Sequence, residues 1–592
     1  MAYQAPVDDI LAALKTAADL DQRLAAGLYG ELDVDTLAAV IGEAGKFGAE
    51  VLEPLNRVGD KAGSRLVDGR VETPPGWADA YRQFVEQGWG SLPCPVEFGG
   101  QGLPEIAQMA VAEIWNATNL SFGLCPLLTQ GAIHALLIGG TPELKARFLP
   151  KMVTGEWTGT MNLTEPHAGS DLGEIRTKAV PQGDGTYRIT GTKIFITYGD
   201  HEISDNIVHL VLARLPDAPP GTKGISLFLV PKYMVGENGG KGPRNDVVCA
   251  GLEHKLGIHA SPTCVMKFGE AGGAIGYLVG AENRGLNTMF IMMNQARLAV
   301  GVQGVAIAER ATQRAIEYAR ERRQGARIGA APGEMVPIIE HPDIRRTLLS
   351  MRALTQAARM ICFATASEID ASHLAPDAGR REAAAMRAAL LTPVAKAFSS
   401  DAGVEVASMG VQVHGGMGFI EETGAAQHLR DARILPIYEG TNGIQAIDLV
   451  TRKLSLGGGA VVKSYLEELS VRVGEVAASN RPEFGRMAER LAAALSALVA
   501  ATRFMGDTLR SDPSAALAVT TPYLKLFAIT AGGAYLASSA LASARAGDGD
   551  GRAVLLARYF AENIATEAGG LADAIMTGGG AVALATPERL EV

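Results

Sequence analysis

The chain has 592 residues, 47% hydrophobic and 20% charged, with a formal net charge of -10. That length exceeds one hydrophobic core and implies about three or four domains, while the acidic balance gives no electrostatic footing for nucleic acid. Cys94, Cys125, Cys249, Cys264 and Cys362 lie far apart without a C-x-x-C pair, so neither a metal site nor a disulfide framework is suggested and a reducing, cytoplasmic compartment is expected.

Residues 1–21 carry Asp8, Asp9 and Asp19 and lack the basic start and apolar core of an export signal. Residues 1–34 read as an acidic, Ala-rich leader with one or two short helices. From Asp35, Leu37, Val40, Ile41, Ala44 and Phe47 recur at helical spacing. Further helical segments follow, broken by Gly and Pro between Pro93 and Leu103, so 35–158 reads as an all-helical domain. The period changes in 159–283, where runs such as Lys193 to Thr197, Ile207 to Leu212 and Ile225 to Val230 alternate between Gly, Pro and Asp turns; this is a β domain. Long helices resume over 284–456, with Met289, Met292, Met293, Leu298, Val302 and Val305 on apolar faces. After Gly457 to Gly459, read as a flexible joint, 460–592 reads as a separate appended four-helix unit. Leu526 to Ala544 has no charged residue and could span a bilayer by length. Its Ala, Gly and Ser content favours a buried bundle helix, leaving membrane contact at most peripheral. The fold class is therefore α+β, mainly α, without βαβ repeats. No G-x-G-x-x-G or G-x-x-x-x-G-K-[ST] run is present, which argues against nicotinamide-type Rossmann binding and P-loop chemistry.

Five segments carry candidate chemistry. Met161 to Asp171 is a loop of small residues whose amides can cradle an anion. Lys193-Ile194-Phe195-Ile196-Thr197 is a strand whose aromatic serves either as core or as a stacking face. Arg320 to Gly325 is a basic helix end, suited to phosphate or to the helix dipole. Gln412 to Phe419 is a glycine turn that permits close backbone approach. His414 within it has no second His or acid in local reach and is not assigned acid–base chemistry. Finally, Ile437-Tyr438-Glu439-Gly440-Thr441 sets one carboxylate directly before a glycine at a helix-to-helix break. Alone, Glu439 is only a helix-terminal acid.

In this order, over roughly Asp35 to Lys453, the five segments resemble the signatures of the acyl-CoA dehydrogenase family, and the whole chain resembles its longer bacterial branch with a leader and a C-terminal helical domain. The resemblance implies an N-terminal helical domain, a middle β domain, a C-terminal helical bundle and an appended helical domain. It implies FAD-dependent α,β-dehydrogenation of a fatty acyl-CoA or 3-methylthiopropionyl-CoA to the trans-2-enoyl-CoA, with electron-transfer flavoprotein as acceptor. Glu439 would remove the α-proton, and its amide would help to bind the thioester oxygen.

Carried over residue by residue, Met161, Leu163, Thr164, Gly169, Ser170, Phe195, Ile196, Thr197, Thr441 and Gly443 would contact FAD. Arg322, Gln324, Gln412, Gly415 and Gly416 would reach the FAD of a neighbouring subunit, which implies at least a homodimer. Ser170, Asn294, Arg297 and Gly440 would contact substrate. Three positions depart from the family pattern: Phe195 stands for the commoner Trp, the Phe expected after Gln324 is missing, and Asn294 replaces an Asp. Met292 to Ala296 holds no acid, so Glu439 is the only base candidate at either family position. The wall near Leu120 to Gln130 is expected to set acyl length. Two rivals are an acyl-CoA oxidase that uses O2 and a DNA-associated relative. The latter is disfavoured because Lys463, Arg472 and Arg481 interleave with Glu467, Glu475 and Glu483. The expected location is the cytoplasm, with any membrane contact peripheral on the inner membrane.

Overall fold

A computed structural model of the chain describes residues 3–236, 239–329, 333–547 and 551–591. The leader forms α1 (Val7–Ala17) and α2 (Leu20–Ala25), and Asp33 caps α3 (Val34–Phe47) by accepting from the Thr36 amide at 2.7 Å. The expectation of an all-helical region fails after α4 (Glu53–Ala62), where β1 (Arg65–Val67) and β2 (Arg70–Glu72) pair antiparallel. The cause is Asp68-Gly69: both adopt left-handed φ, +48° and +74°, as a tight hairpin turn demands. Helices α5 (Trp77–Glu86), α6 (Glu105–Thr118), α7 (Leu120–Gly139) and α8 (Pro142–Thr154) complete this region.

The middle region is an eight-stranded sheet. Its strands are β3 (Trp157–Asn162), β4 (Lys178–Pro181), β5 (Thr186–Thr197), β6 (Asn206–Arg214), β7 (Ile225–Pro231), β10 (Val247–Leu252), β11 (Thr263–Phe268) and β12 (Ala274–Val279), with a separate hairpin of β8 (Tyr233–Val235) and β9 (Lys241–Arg244). The order is β10-β11-β5-β12-β7-β6-β3, with β4 pairing β5 and β6. Tyr198, just past β5, accepts from the Trp77 indole N–H at 3.1 Å and donates its hydroxyl to Ser121 O at 2.8 Å, which docks the sheet onto the N-terminal helices.

Three long helices then form the bundle: α9 (Gly285–Glu321), α10 (Pro342–Leu374) and α11 (Ala378–His414), with β13 (Arg323–Ala326) and β14 (Met335–Pro337) as a hairpin between the first two. Gly304 lets α9 and α11 approach closely, because a Cβ there would lie 2.1 Å from Ser399 O. Arg359 on α10 is fully buried and donates to Glu113 of α6 at 2.6 Å and Glu309 of α9 at 2.8 Å, which ties three helices at one point. Short helices α12 (Ala425–Ala432) and α13 (Asn442–Asp448) flank the segment that carries Glu439.

The appended region holds α14 (Ala460–Ala478), α15 (Met487–Ser511), α16 (Pro513–Ala518), α17 (Thr520–Ala546), α18 (Arg552–Tyr559) and α19 (Ala568–Thr577). The appended helical region is present as expected, but the reading of a flexible joint before it needs correction. Gly457, Gly458 and Gly459 form a tight turn of three left-handed residues, and the buried side chains of α14, α15 and α17 belong to the same hydrophobic core as α10 and α11. Gly532 sits so close to α10 that a Cβ would lie 2.9 Å from that of Ala357. The leader joins in, since Asp9 pairs with Arg352 of α10 and Arg552 of α18, each at 2.9 Å. Three helices, Leu120–Gly139, Gly285–Glu321 and Thr520–Ala546, are long and apolar enough to cross a membrane, and most of each is buried inside this fold.

Candidate active site

The loop after β3 is held from beneath. Glu165 accepts from the Arg176 and Thr177 amides at 2.7 and 3.0 Å, and from Lys193 Nζ at 2.8 Å. Lys193 also donates to Leu163 O at 3.0 Å, and the Ile194 amide to Thr164 O at 3.0 Å. Burial pushes Lys193 down to about 8, against the pull of Glu165. The motif reading missed this ion pair, because residues 165 and 193 meet only through the fold. It fixes Thr164 half-buried and leaves Gly169 and Ser170 exposed on the loop surface, while Met161 is buried and Leu163 half-buried.

On β5 the ladder slips: Lys193 lies opposite Met266 but Ile196 lies opposite Cys264, a bulge that leaves an extra residue between them. Phe195 takes that place with φ +60° and 59% exposure, while Ile196 returns to the core and Thr197 pairs with Thr263. A non-glycine residue in the left-handed region is uncommon and needs surroundings that enforce it. The bulge turns an aromatic face outward beside the Thr164 loop, so the residues present fit a flat ring system that stacks on Phe195.

Between α12 and α13 the chain is pinned at two points. Leu435 is fully buried, and the Tyr438 hydroxyl donates to Gln303 Oε1 on α9. Glu439 and Gly440 follow with φ +56° and +84°, after which Thr441 accepts from the Ile444 amide and caps α13. Glycine suits position 440, because L side chains rarely adopt its φ of +84°. The Glu439 carboxylate is half-buried, and among the described residues it has no hydrogen-bond donor. Burial raises its pKa to about 7, opposed by the nearby cations Arg297 and Lys396.

Arg297 is buried behind this turn. Its Nε donates to Glu439 O at 3.4 Å and Nη1 lies 3.5 Å from Asp448, so it faces the turn rather than an open substrate cleft. Asn294 is exposed on α9, and Thr441 and Gly443 are exposed at the start of α13. Arg322 and Gln324 lie exposed past the end of α9, and Gln412, Gly415 and Gly416 lie exposed at the end of α11. The Tyr318 and His414 rings stack at 4.4 Å and bring those two helix ends together. His414 therefore packs, with Nδ1 bonded to Gly410 O at 2.7 Å.

A narrow cavity runs among α6, α7 and α9, lined by Trp89, Met109, Trp115, Leu127, Gln130 and Gln295 among others. Its free volume is only about 30 Å³, room for little more than a water-sized group. Trp89 and Trp115 meet edge to face at 5.1 Å, and Gln130 donates to Gly90 O, so the wall is tightly braced. Asn116 on that wall accepts from Gln303 at 3.0 Å, the same Gln303 that receives the Tyr438 hydroxyl. One chain of hydrogen bonds thus joins the cavity to the residue before Glu439.

Comparison with known proteins agrees with this architecture. Residues 38–156, 160–271 and 283–454 match the N-terminal, middle and C-terminal domains of acyl-CoA dehydrogenase, and 468–585 match an acetyl-CoA dehydrogenase C-terminal-like domain. The chain is 50% identical over 96% of its length to a 3-methylmercaptopropionyl-CoA dehydrogenase of Ruegeria pomeroyi, covering 97% of that protein. Caenorhabditis elegans ACDH-11 in complex with C11-CoA superposes with a TM-score of 0.79 at 23% identity, covering 95% of this chain and 92% of that one. An acyl-CoA dehydrogenase from Bacillus anthracis complexed with FAD superposes with a TM-score of 0.74 at 20% identity, covering 95% and 90%. The fold and these matches define a flavin-dependent oxidoreductase that acts on acyl-CoA thioesters. The chain belongs to the acyl-CoA dehydrogenase family, and FAD is its cofactor.

Proposed function

We propose that Glu439 is the base that takes the α-proton of a short acyl-CoA, and that 3-methylthiopropionyl-CoA is the favoured substrate. The observation that carries the base is its carboxylate, half-buried, free of donors among the described residues and raised to about 7. A base with that affinity holds a removed proton better than an ordinary carboxylate does. The Glu439 amide makes no backbone hydrogen bond among the described residues, so it is free to donate to the thioester oxygen as negative charge develops there. FAD, when bound, accepts the hydride from the β-carbon. Phe195 would stack on its ring system, Thr164, Thr197 and Thr441 would reach its edge, and Ser170 would meet the diphosphate or thioester arm.

The cavity supports the substrate reading. Its small free volume of about 30 Å³ favours a short acyl chain, and its Trp and Met lining suits a polarisable sulfur. The Ruegeria pomeroyi relative, named for such a substrate, points the same way. Arg322, Gln324, Gln412, Gly415 and Gly416 cluster at one exposed end of α9 and α11, which favours their serving the FAD of a second copy in a homodimer. Electron-transfer flavoprotein is the proposed acceptor, in the cytoplasm, with at most peripheral membrane contact; an oxidase would instead turn over with O2 alone. An acyl-CoA series from butyryl to palmitoyl plus 3-methylthiopropionyl-CoA, with an artificial acceptor and then with O2, tests this. Short thioesters should lead and O2 should support little turnover. Equal rates with palmitoyl-CoA would refute the substrate reading, and fast peroxide production would refute the acceptor.

A further inference from the structure

The Glu439–Gly440 turn is left-handed at a side-chain-bearing residue, so something must hold it. Arg297 Nε and Gln445 Nε2 each reach Glu439 O at 3.4 Å, and Gln445 also reaches Gly440 O at 3.2 Å. These contacts grip the turn from α9, through Arg297, and from within α13, through Gln445. The opposite grip comes from α11. Lys396 there is fully buried, and its ammonium donates to Asn442 Oδ1 at 2.8 Å. Asn442 is the first residue of α13, and its amide donates to Pro436 O at 3.0 Å, which closes the loop around Glu439. Its side chain is well held: Nδ2 has its two hydrogens to share among Asp401 Oδ1 at 2.7 Å, Ser400 Oγ at 3.0 Å and Ala397 O at 3.1 Å.

We propose that Lys396 and Asn442 form a clamp that fixes the turn bearing Glu439, with Lys396 as a positioning residue for the base. The inference rests on Glu439 being that base. An ammonium buried only to join two helices is poorly explained by stability, since an apolar side chain of similar volume does that at least as well. Here the ammonium is held to an amide, not locked to a carboxylate; burial pulls it down to about 7 against the pull of Glu439 and Asp401, and in its protonated form its charge acts on the base. The charged groups around Glu439 are Arg297 from α9 and Lys396 from α11; Asp401 lies behind Lys396, and Asp448 and Arg452 lie behind Arg297. When protonated, Lys396 thus supplies a second positive charge that favours the ionised carboxylate, while Asn442 holds that charge in a fixed position.

The test uses Lys396→Met and Asn442→Ala in the FAD-loaded protein, with Glu439→Gln beside them. Each clamp variant should hold FAD and bind enoyl-CoA product like the parent, while the rate of flavin reduction by substrate falls roughly 10- to 100-fold, as small misplacements of a catalytic group do. In Lys396→Met the acid limb of the pH–rate profile should also move to higher pH, because loss of a nearby cation favours the protonated acid. A role confined to packing would lower FAD content or thermal stability and leave that limb in place. Parent-like rates and an unmoved acid limb, or a rate loss that tracks loss of FAD, would overturn the clamp. Should Lys396→Met not fold, Asn442→Ala decides. If Glu439→Gln keeps its rate, the assignment of the base has failed; if it is inactive while the clamp variants match the parent, only the clamp has.

Discussion

Glu439 shows how a backbone conformation and a carboxylate combine at one residue. Its backbone takes a left-handed φ of +56° in the segment between α12 and α13, and burial raises its pKa to about 7. Glu439→Gln keeps the size of the side chain but cannot accept a proton, so kcat should fall by roughly 10² to 10⁴ at unchanged FAD content. As the proposed base, Glu439 is active in its ionised form. Activity as kcat/KM should therefore rise with pH through an acid limb near 7, measurable across pH 5 to 9 with a slowly reacting short acyl-CoA; a limb near 4.5 would mean that burial does not act on this group. The Glu439 motif was legible because the Tyr-Glu-Gly-Thr run is local. Lys193, Lys396 and Asn442 were not, because their partners lie 28 to 46 positions away in sequence and no local pattern announces a contact made only through packing. Arg297 was singled out, but its orientation towards the turn rather than the substrate depends on Asp448, which the motif does not contain.

Among the elements, α9 carries Asn294, Arg297 and Gln303, and a buried charge ties it to its neighbours. Arg359 on α10 serves Glu113 of α6 and Glu309 of α9 at once. Arg359→Met removes the only cation among the described residues in direct contact with both buried carboxylates. Unfolding by urea should then show a loss of about 3–5 kcal/mol, and adding Glu113→Gln and Glu309→Gln should recover part of it. A loss below 1 kcal/mol would show that the cluster is relaxed by water. Helical periodicity exposed the long helices in the sequence, since their apolar faces repeat over many turns. The β1–β2 hairpin escaped that reading: each strand has three residues and mostly exposed side chains, so only the Asp68-Gly69 turn marked it. The bulge at Phe195 escaped likewise, because a bulge changes register without changing composition.

The whole molecule is more unified than its chain order suggests. The leader lies between the bundle and the appended helices, with Asp9 paired to both and Arg472 of α14 donating to Thr16 O at 3.0 Å. Removing residues after Gly457 should uncover the α10 face around Ala357 and Ile361, so the truncated protein should aggregate or change its oligomeric state in sedimentation. A stable, monodisperse and fully active truncation would mean that the shared core contributes little. The sequence revealed this region's helices but not its attachment, because Ala- and Gly-rich faces such as that of Gly532 do not say which helix they meet.

The central claim is that one carboxylate, held in a left-handed turn, starts the oxidation of a short acyl-CoA. Anaerobic mixing with 3-methylthiopropionyl-CoA, followed by the bleaching of the FAD absorbance, tests it most directly. The parent protein should bleach rapidly, whereas Glu439→Gln should stay yellow at least roughly 10²-fold longer while still binding the thioester. Bleaching of that variant at a rate close to the parent's would contradict the account.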